Sequence, residues 1–406
     1  MYKFSKYCRI IINLKKVVLS NIENGSWIRI TKEVYDILVL GIENILGIEE
    51  LKLNLYDDED REYIQNLYNI LCKMGIIEDE NYEYKINNKI VAIEMTHRCN
   101  LRCFHCCIDA DGVVSNKNDL STEQIKIIID KIIKWNPDRI MLSGGEPMLR
   151  KDFIEILKYI KNNYKGKIIV STNGTLINTS NVEALAECAY QIDISLDGVD
   201  EESCSIIRGP GIFNKVLKNV QKLKRVGFSR IFLSMVISDR NEHLERRFKA
   251  LNESLGTFPL VRIFSPVGRG KDNLEMFSSL GENSVYIPEN FMNENLEVCS
   301  CSAGIREIMV SYNGDIYTCI SFMNPQNKIA NILEIEDLND LDNSKKQHPF
   351  LDILSSQSYK DCKNCKVNLF CWTCPGEFEE LKLNEKAFNF RCSKLKPILY
   401  KKVWEN

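Results

Sequence analysis

The chain lacks two things that would sort it at once: an excess of charge of one sign, and a long apolar run. With 53 Lys+Arg against 56 Asp+Glu, the net charge over 406 residues is −3, which gives no electrostatic reason to expect nucleic acid or any other polyanion. No apolar stretch is long enough to span a bilayer. The N-terminal Arg9–Leu14 run is short, is flanked by Lys and is followed by no small-residue cleavage site, so it is not a signal peptide. These absences point to a cytoplasmic protein without a membrane partner. At this length one core rarely suffices, and two or three domains are expected.

What the chain has in abundance is cysteine: sixteen residues, which in a reducing compartment are better explained as metal or cluster ligands than as disulfides. Eleven of the sixteen fall into tight groups: Cys99, Cys103 and Cys106; then Cys299, Cys301 and Cys319; then Cys362, Cys365, Cys371, Cys374 and Cys392. Cys8, Cys72, Cys107, Cys188 and Cys204 are left over and read as small buried apolar residues. Cys107 is the exception to watch, because it adjoins Cys106. The run Cys99-Asn-Leu-Arg-Cys103-Phe-His-Cys106 directly follows the strand-like Ile90–Thr96. Three thiolates in a CxxxCxxC spacing can hold a four-iron cluster with one iron left open, whereas zinc sites close with a fourth ligand. The zinc alternative at this triplet would recruit His97 or His105.

From Ile90 to about Phe264, β-branched runs alternate with amphipathic helical stretches. Strands are expected at Ile90–Thr96, Arg139–Ser143, Lys167–Thr172, Gln191–Leu196, Arg230–Ile237 and Leu260–Phe264. Thr122–Lys134 places Ile125, Ile128, Ile129, Ile132 and Ile133 on one helical face, with Ser121 as N-cap. Repeated strand–helix units imply a parallel sheet with right-handed crossovers that closes wholly or partly into a barrel. Ligands bind at the C-terminal strand ends of such folds. The cysteine triplet, Gly144-Gly-Glu-Pro147, Asn173-Gly174 and Asp197-Gly198 each follow a strand and converge there.

Residues 1–86 combine two strand-like pieces, Arg9–Leu14 and Val17–Ile22, with helices at Lys32–Ile45 and Asp60–Met74, which suits a winged-helix-like α+β module. It holds 11 basic and 15 acidic residues, a net of −4, which argues against DNA and for a peptide ligand. Past Pro266, Gly268-Arg-Gly270 and a polar stretch through Glu289 read as a linker. The cysteine-rich remainder has little apolar periodicity and needs metals to hold it. Domains are therefore expected at 1–86, 87–270 and 271–406.

Taken together, the triplet, Gly144-Gly-Glu-Pro147, Asn173-Gly174 and Ser195-Leu-Asp-Gly198 resemble the radical S-adenosylmethionine (SAM) enzymes over residues 90 to 270. The resemblance implies a partial (β/α)6 TIM-type barrel whose triplet holds a 4Fe-4S cluster. The open iron would chelate the amino and carboxylate groups of SAM, and a 5′-deoxyadenosyl radical would form. In this reading Cys99, Cys103 and Cys106 are catalytic. Gly144 and Gly145 let the backbone approach the cofactor, Glu146 accepts from its ammonium, Asn173 contacts the cofactor or is a simple turn-former, Ser195 and Asp197 contact the ribose, and Arg208 lies near the carboxylate or is a solvated helix-start residue.

The C-terminal spacing, Cys301-x12-Gly314-x4-Cys319 and then Cys362-x2-Cys365-x5-Cys371-x2-Cys374-x17-Cys392, resembles a SPASM domain with two auxiliary 4Fe-4S clusters, making three in all. The family more often leaves three residues where Trp372-Thr373 leaves two. By resemblance, Cys362, Cys365, Cys371 and Cys392 hold the outer cluster; Cys301, Cys319 and Cys374 hold the inner one, with Cys299 or a substrate group as fourth ligand. Paired zinc knuckles are the competing reading.

The front module resembles the PqqD-like element that captures leader peptides, by strand addition to a sheet edge. The function implied is a SPASM maturase that forms cysteine-sulfur-to-carbon thioether links in a ribosomally made precursor peptide, with flavodoxin or ferredoxin as electron donor. Carbon–carbon crosslinking and epimerisation stay open. A sulfatase-maturase-like oxidase is the alternative within the superfamily, and a zinc-stabilised regulatory or binding protein is the alternative outside it.

Overall fold

The computed structural model describes residues 1–79, 89–110, 119–278, 296–343, 360–371 and 374–405. The expected boundary at 86/87, the polar stretch from 279 through Glu289 and the Trp372-Thr373 spacing lie outside the described residues.

The N-terminal region runs β1 (Tyr2–Phe4), β2 (Cys8–Asn13), β3 (Lys16–Asn21), β4 (Trp27–Thr31), α1 (Lys32–Glu43), α2 (Ile48–Leu53), α3 (Asp58–Lys73) and β5 (Ile77–Asp79). Strands β2, β3 and β4 form an antiparallel sheet in that order, and β1 pairs with β5. The alternation of β3 explains its place. Val17 and Leu19 point into a core with Leu38, Leu67 and Leu71. Val18 points the other way, and with Ile22 beyond the strand it packs on Phe370, Phe378 and Leu395 of the cysteine-rich region. A strand buried on both faces reads as a continuous apolar run, which is what Val17-Val-Leu19 is.

The barrel strands are β6 (Ile90–Glu94), β7 (Arg139–Ser143), β8 (Lys167–Thr172), β9 (Gln191–Ser195), β10 (Ile231–Ile237) and β11 (Phe258–Ile263), interleaved with α4 (Thr122–Lys134), α5 (Phe153–Asn163), α6 (Val182–Cys188), α7 (Glu201–Arg208), α8 (Ile212–Arg225) and α9 (Glu245–Leu255). All neighbouring pairs from β6 to β11 are parallel. Helix α4 starts on a capping box, with Ser121 accepting from Gln124 N–H and the Gln124 side chain accepting from Ser121 N–H. Its Ile125, Ile128, Ile129 and Ile132 are buried against Ile140, Leu142 and Ile156. Strand β11 begins two residues before the expected Leu260 and includes Pro259. A proline is tolerated there because β11 is the outermost strand, where a missing N–H breaks no ladder bond.

The sheet does not close on itself. Its order is β11-β10-β9-β8-β7-β6-β12-β13-β14, with β12 (Glu307–Val310), β13 (Asp315–Tyr317) and β14 (Ala330–Asn331) drawn from the C-terminal region. Strand β12 runs parallel to β6, pairing Glu307 with Ile90 and Val310 with Ile93. Ile308, Val310, Ile316 and Ile332 join the barrel's outer core. The remainder is helical: α10 (Arg269–Asp272) and α11 (Leu274–Phe277) after β11, then α12 (Lys360–Lys363), α13 (Asn368–Cys371), α14 (Pro375–Leu381) and α15 (Glu385–Tyr400). The architecture is thus a partial (β/α)6 barrel with an α+β module in front and a cysteine-rich region behind. Among the described residues no helix is long and apolar enough to cross a membrane.

Candidate active site

A cavity of about 300 Å³ opens at the C-terminal ends of the parallel strands. Cys99, Cys103, Cys106, Gly144, Gly145, Asn173, Ser195 and Arg208 all line it. Glu146 and Asp197 stand directly behind that wall and are not among its lining residues.

Each sulfur of the triplet has a donor. Cys99 Sγ accepts from Leu101 N–H at 3.4 Å and from Asn173 Nδ2 at 3.8 Å; Cys106 Sγ accepts from Ala110 N–H at 3.3 Å; Cys103 Sγ accepts from Arg208 Nη1 at 3.5 Å. Such bonds favour thiolate over thiol and tune a metal centre held by the sulfur. Without such a centre burial dominates, pushing the Cys99 thiol up to about 11 and raising that of Cys103.

The glycines that line the cavity also press against the cysteine loop. A Cβ on Gly144 would lie 2.5 Å from Thr96 O, and one on Gly145 would lie 2.1 Å from Arg98 O. Gly145 N–H donates to Thr96 O at 2.9 Å and Glu146 N–H to Arg98 O at 2.8 Å. The turn after β7 is therefore laced to the backbone of the cysteine loop, and Gly144, with φ of +129°, needs to be glycine for that contact.

Glu146 is fully buried, and its carboxylate accepts from Thr172 Oγ1 at 2.8 Å, Asn173 N–H at 2.8 Å and Met148 N–H at 3.1 Å. Burial outweighs these donors and lifts its carboxyl to about 7. What it visibly does is fasten the turn after β8. Asn173, in that turn, donates to Asn100 Oδ1 at 2.9 Å and accepts from Thr175 N–H at 3.0 Å, so it is both a turn-former and a tie to the cysteine loop.

Asp197, with φ of +54°, sits at the hub of an ion network. Its Oδ2 meets Arg208 Nε at 2.7 Å and His105 Nε2 at 2.7 Å, and its Oδ1 accepts from Val236 N–H at 2.7 Å. Burial opposes ionisation, but Arg208 and His105 win, and the carboxyl lies well below the usual range. Of the two histidines a zinc site might recruit, His105 is thus engaged by Asp197, and His97 Nδ1 lies 2.7 Å from Glu94 Oε1.

The C-terminal cysteines divide by neighbourhood. Cys374 raises the Cys301 thiol and Cys301 and Cys374 raise the Cys319 thiol, behind burial as the larger cause, so these three lie close together; the Cys299 thiol is raised by burial and then by Cys301, Cys374 and Cys371, and Cys299 shares the core of the cysteine-rich region with Cys371. Ile320 and Ser321, immediately after Cys319, line the barrel cavity, which makes Cys319 its neighbour. Cys362, Cys365 and Cys371 pack around the core of the cysteine-rich region. Cys392 lies on α15 beside Arg391, whose Nη2 donates to Cys371 O at 2.9 Å. None of the sixteen cysteines is in a disulfide. Among the described residues, no three His, Cys, Asp or Glu side chains converge on a point that would hold a single metal ion.

Residues the sequence reading did not single out are those that brace the loops: Asn100, Thr172 and Thr175. Their signal was position, since each adjoins a residue that was.

Residues 93–251 match the Radical SAM superfamily. Over 294 residues the chain is 27% identical to mycofactocin maturase MftC of Mycobacterium tuberculosis (strain ATCC 25618 / H37Rv), covering 67% of this chain and 74% of that protein. In structure it resembles Streptococcus suis SuiB bound to S-adenosylmethionine, with TM-score 0.53 and 17% identity over 91% of this chain and 94% of that one. SuiB bound to its precursor peptide SuiA matches with TM-score 0.51 and 18% identity over the same shares. Native anSMEcpe with bound AdoMet matches with TM-score 0.54 and 20% identity, over 77% of this chain and 98% of that one. Residues 93–251 form a radical SAM domain, and the chain is an enzyme.

Proposed function

We propose that this enzyme is a maturase of a ribosomally made precursor peptide, most specifically one that joins a cysteine sulfur to a carbon of the same peptide. The observation that carries the reading is the shared cavity, where three sulfurs with N–H donors and the loops after β7, β8 and β9 face one space. The donor set fits a 4Fe-4S cluster, whose irons take ligands at separate corners, so its thiolates need not converge on a point. Cys99, Cys103 and Cys106 would hold it; Gly144, Gly145, Asn173, Ser195 and Arg208 would surround SAM. Bound together, the two supply a 5′-deoxyadenosyl radical. The protein's own part is to orient the cofactor and shield the space around it. Asp197 and Glu146 act from behind, the first fixing Arg208 and the second fixing the Asn173 turn.

Cys299, Cys301, Cys319 and Cys374 suit an inner auxiliary cluster, and Cys362, Cys365, Cys371 and Cys392 suit an outer one. An inner cluster next to the cavity could receive the substrate's sulfur. The β2-β3-β4 sheet and its helices suit capture of a leader peptide by strand addition, and tethering raises the effective concentration of the core peptide at the cavity. Similarity to MftC, and to the fold of SuiB over 91% of the chain against 77% for the fold of anSMEcpe, supports a peptide maturase with a recognition module over a sulfatase-maturase-like oxidase. A flavodoxin or ferredoxin would supply the electron.

The test is to reconstitute the full chain without oxygen and supply SAM, dithionite and a short cysteine-containing candidate precursor, chosen from the reading frames that neighbour this one. Loss of two hydrogens per link, located by fragment mass spectrometry at a cysteine sulfur, is expected. An unchanged peptide mass in water and no deuterium taken up by the peptide in D2O, with ample 5′-deoxyadenosine, would refute the maturase reading, and a link that spares cysteine would refute the thioether.

A further inference from the structure

Gly268-Arg-Gly270 reads as the start of a linker, yet it is folded hard against the cysteine loop. Gly268 has φ of +55°, and a Cβ there would fall 2.4 Å from Cys107 O and 2.6 Å from Cys106 O. The next residue, Arg269, is 6% exposed. Its N–H donates to Cys106 O at 2.9 Å, its Nη1 to Cys103 O at 2.9 Å and its Nη2 to Ala110 O at 2.7 Å. Its Nε stands 2.7 Å from Asp109 Oδ1. Asp109 itself has φ of +53°, a conformation that needs outside support. Asn273, at the end of the same segment, reaches Phe104 O at 3.4 Å.

No helix or strand runs through residues 99–110, so no regular ladder dictates where the three sulfurs sit. The planar guanidinium fork is pre-organised to donate to two carbonyls while it pairs electrostatically with a carboxylate, which a Lys ammonium cannot do in one geometry. A buried cation lying behind Cys103 also favours negative charge on whatever the sulfurs hold. We propose that Arg269 is a positioning residue that clasps residues 103–110 in the shape needed to hold a metal centre and, through its charge, raises that centre's reduction potential. This rests on the reading that Cys99, Cys103 and Cys106 hold a cluster, and it adds a fourth participant from beyond the barrel strands.

The experiment compares wild type with Arg269→Gln and Arg269→Lys in the full chain. In the metal-free protein, iodoacetamide labelling of Cys103 and Cys106 is followed by peptide mapping, with Cys188 as internal reference. Labelling about threefold faster or more is expected in both variants, since local opening sets the rate. After reconstitution, the midpoint potential of the electron paramagnetic resonance signal that responds to SAM should fall in Arg269→Gln and return toward wild type in Arg269→Lys, which keeps the charge without the fork. Wild-type labelling rates in both variants would overturn the clasp, and an unmoved potential in Arg269→Gln would overturn the charge effect. A wild-type protein with no SAM-responsive signal would overturn the cluster reading instead, and the labelling arm would still decide the clasp.

Discussion

Trp27 of the N-terminal sheet and Phe370 of the cysteine-rich region meet edge to face, with ring centroids 5.0 Å apart. Around them the two regions share one core and a seam of polar contacts: Trp27 Nε1 donates to Leu296 O at 2.6 Å, Lys16 Nζ to Trp404 O at 2.7 Å, and Arg306 pairs with the buried Glu23 at 3.1 Å. The N-terminal module, proposed to capture a leader peptide, is continuous with the region proposed to carry the auxiliary clusters. Removing residues 1–79 would bare Phe370, Phe378 and Leu395, so truncation is a poor test of peptide capture.

Trp27→Ala is expected to lower stability by about 2–4 kcal/mol, as for other large-to-small changes in packed sites. The loss should fall on both regions together. Urea unfolding followed by limited proteolysis checks this, and loss of structure confined to residues before Asp79 would contradict a shared core.

Cys103→Ala should abolish formation of 5′-deoxyadenosine and remove about four of roughly twelve irons from the reconstituted protein. Iron analysis and chromatography of the SAM products measure both effects. Undiminished SAM cleavage would show that Cys103 is not a ligand.

Cys374→Ala should leave SAM cleavage within about threefold of wild type while abolishing modified peptide, because the change is confined to the cysteines proposed for the inner cluster. Normal peptide product from this variant would remove the inner cluster from the reaction.

Asp152 offers a pH test away from the cysteines. It accepts from Arg150 Nη2 at 2.7 Å and from Thr122 Oγ1 at 2.6 Å, and Arg150 also donates to Met95 O at 3.2 Å, so the group joins the end of β6 to the start of α4. Burial opposes ionisation, but the Arg150 and Thr122 hydrogen bonds prevail and hold the carboxyl below its ordinary value of 3.8. Its stabilisation is therefore complete above that value and is lost as the pH falls through the lower folded one. Asp152→Asn should cost about 1–2 kcal/mol at pH 7, with the gap from wild type shrinking below about pH 4. A gap that stays constant down to pH 2.5 in denaturant titrations would show that the carboxylate charge is not what stabilises this junction.

Much of the barrel was legible because its cues are local. Arg139–Ser143, Lys167–Thr172 and Thr122–Lys134 fall where alternation, helical period and the Ser121 cap put them. Strand β4 and helix α2 were missed: Trp27–Thr31 is half-polar, and Ile48–Leu53 is too short for its period to register. The loops around the cavity were legible as motifs but not as mechanisms. Gly144 and Gly145 could be seen to need bare backbone; that the neighbour pressing on them is Thr96 to Arg98 could not.

By itself, the order of residues determined the parallel strand–helix repeat, the rim on which the cysteine triplet sits, and the grouping of the later cysteines, since each depends on spacing along the chain. Only the tertiary structure decided that β12 occupies the open edge of β6, that β3 buries both its faces, and that Arg269 grips a loop lying more than 150 residues before it. Those contacts join segments far apart in sequence, and their partners are chosen by shape, charge and unpaired backbone groups that exist only once the chain has folded.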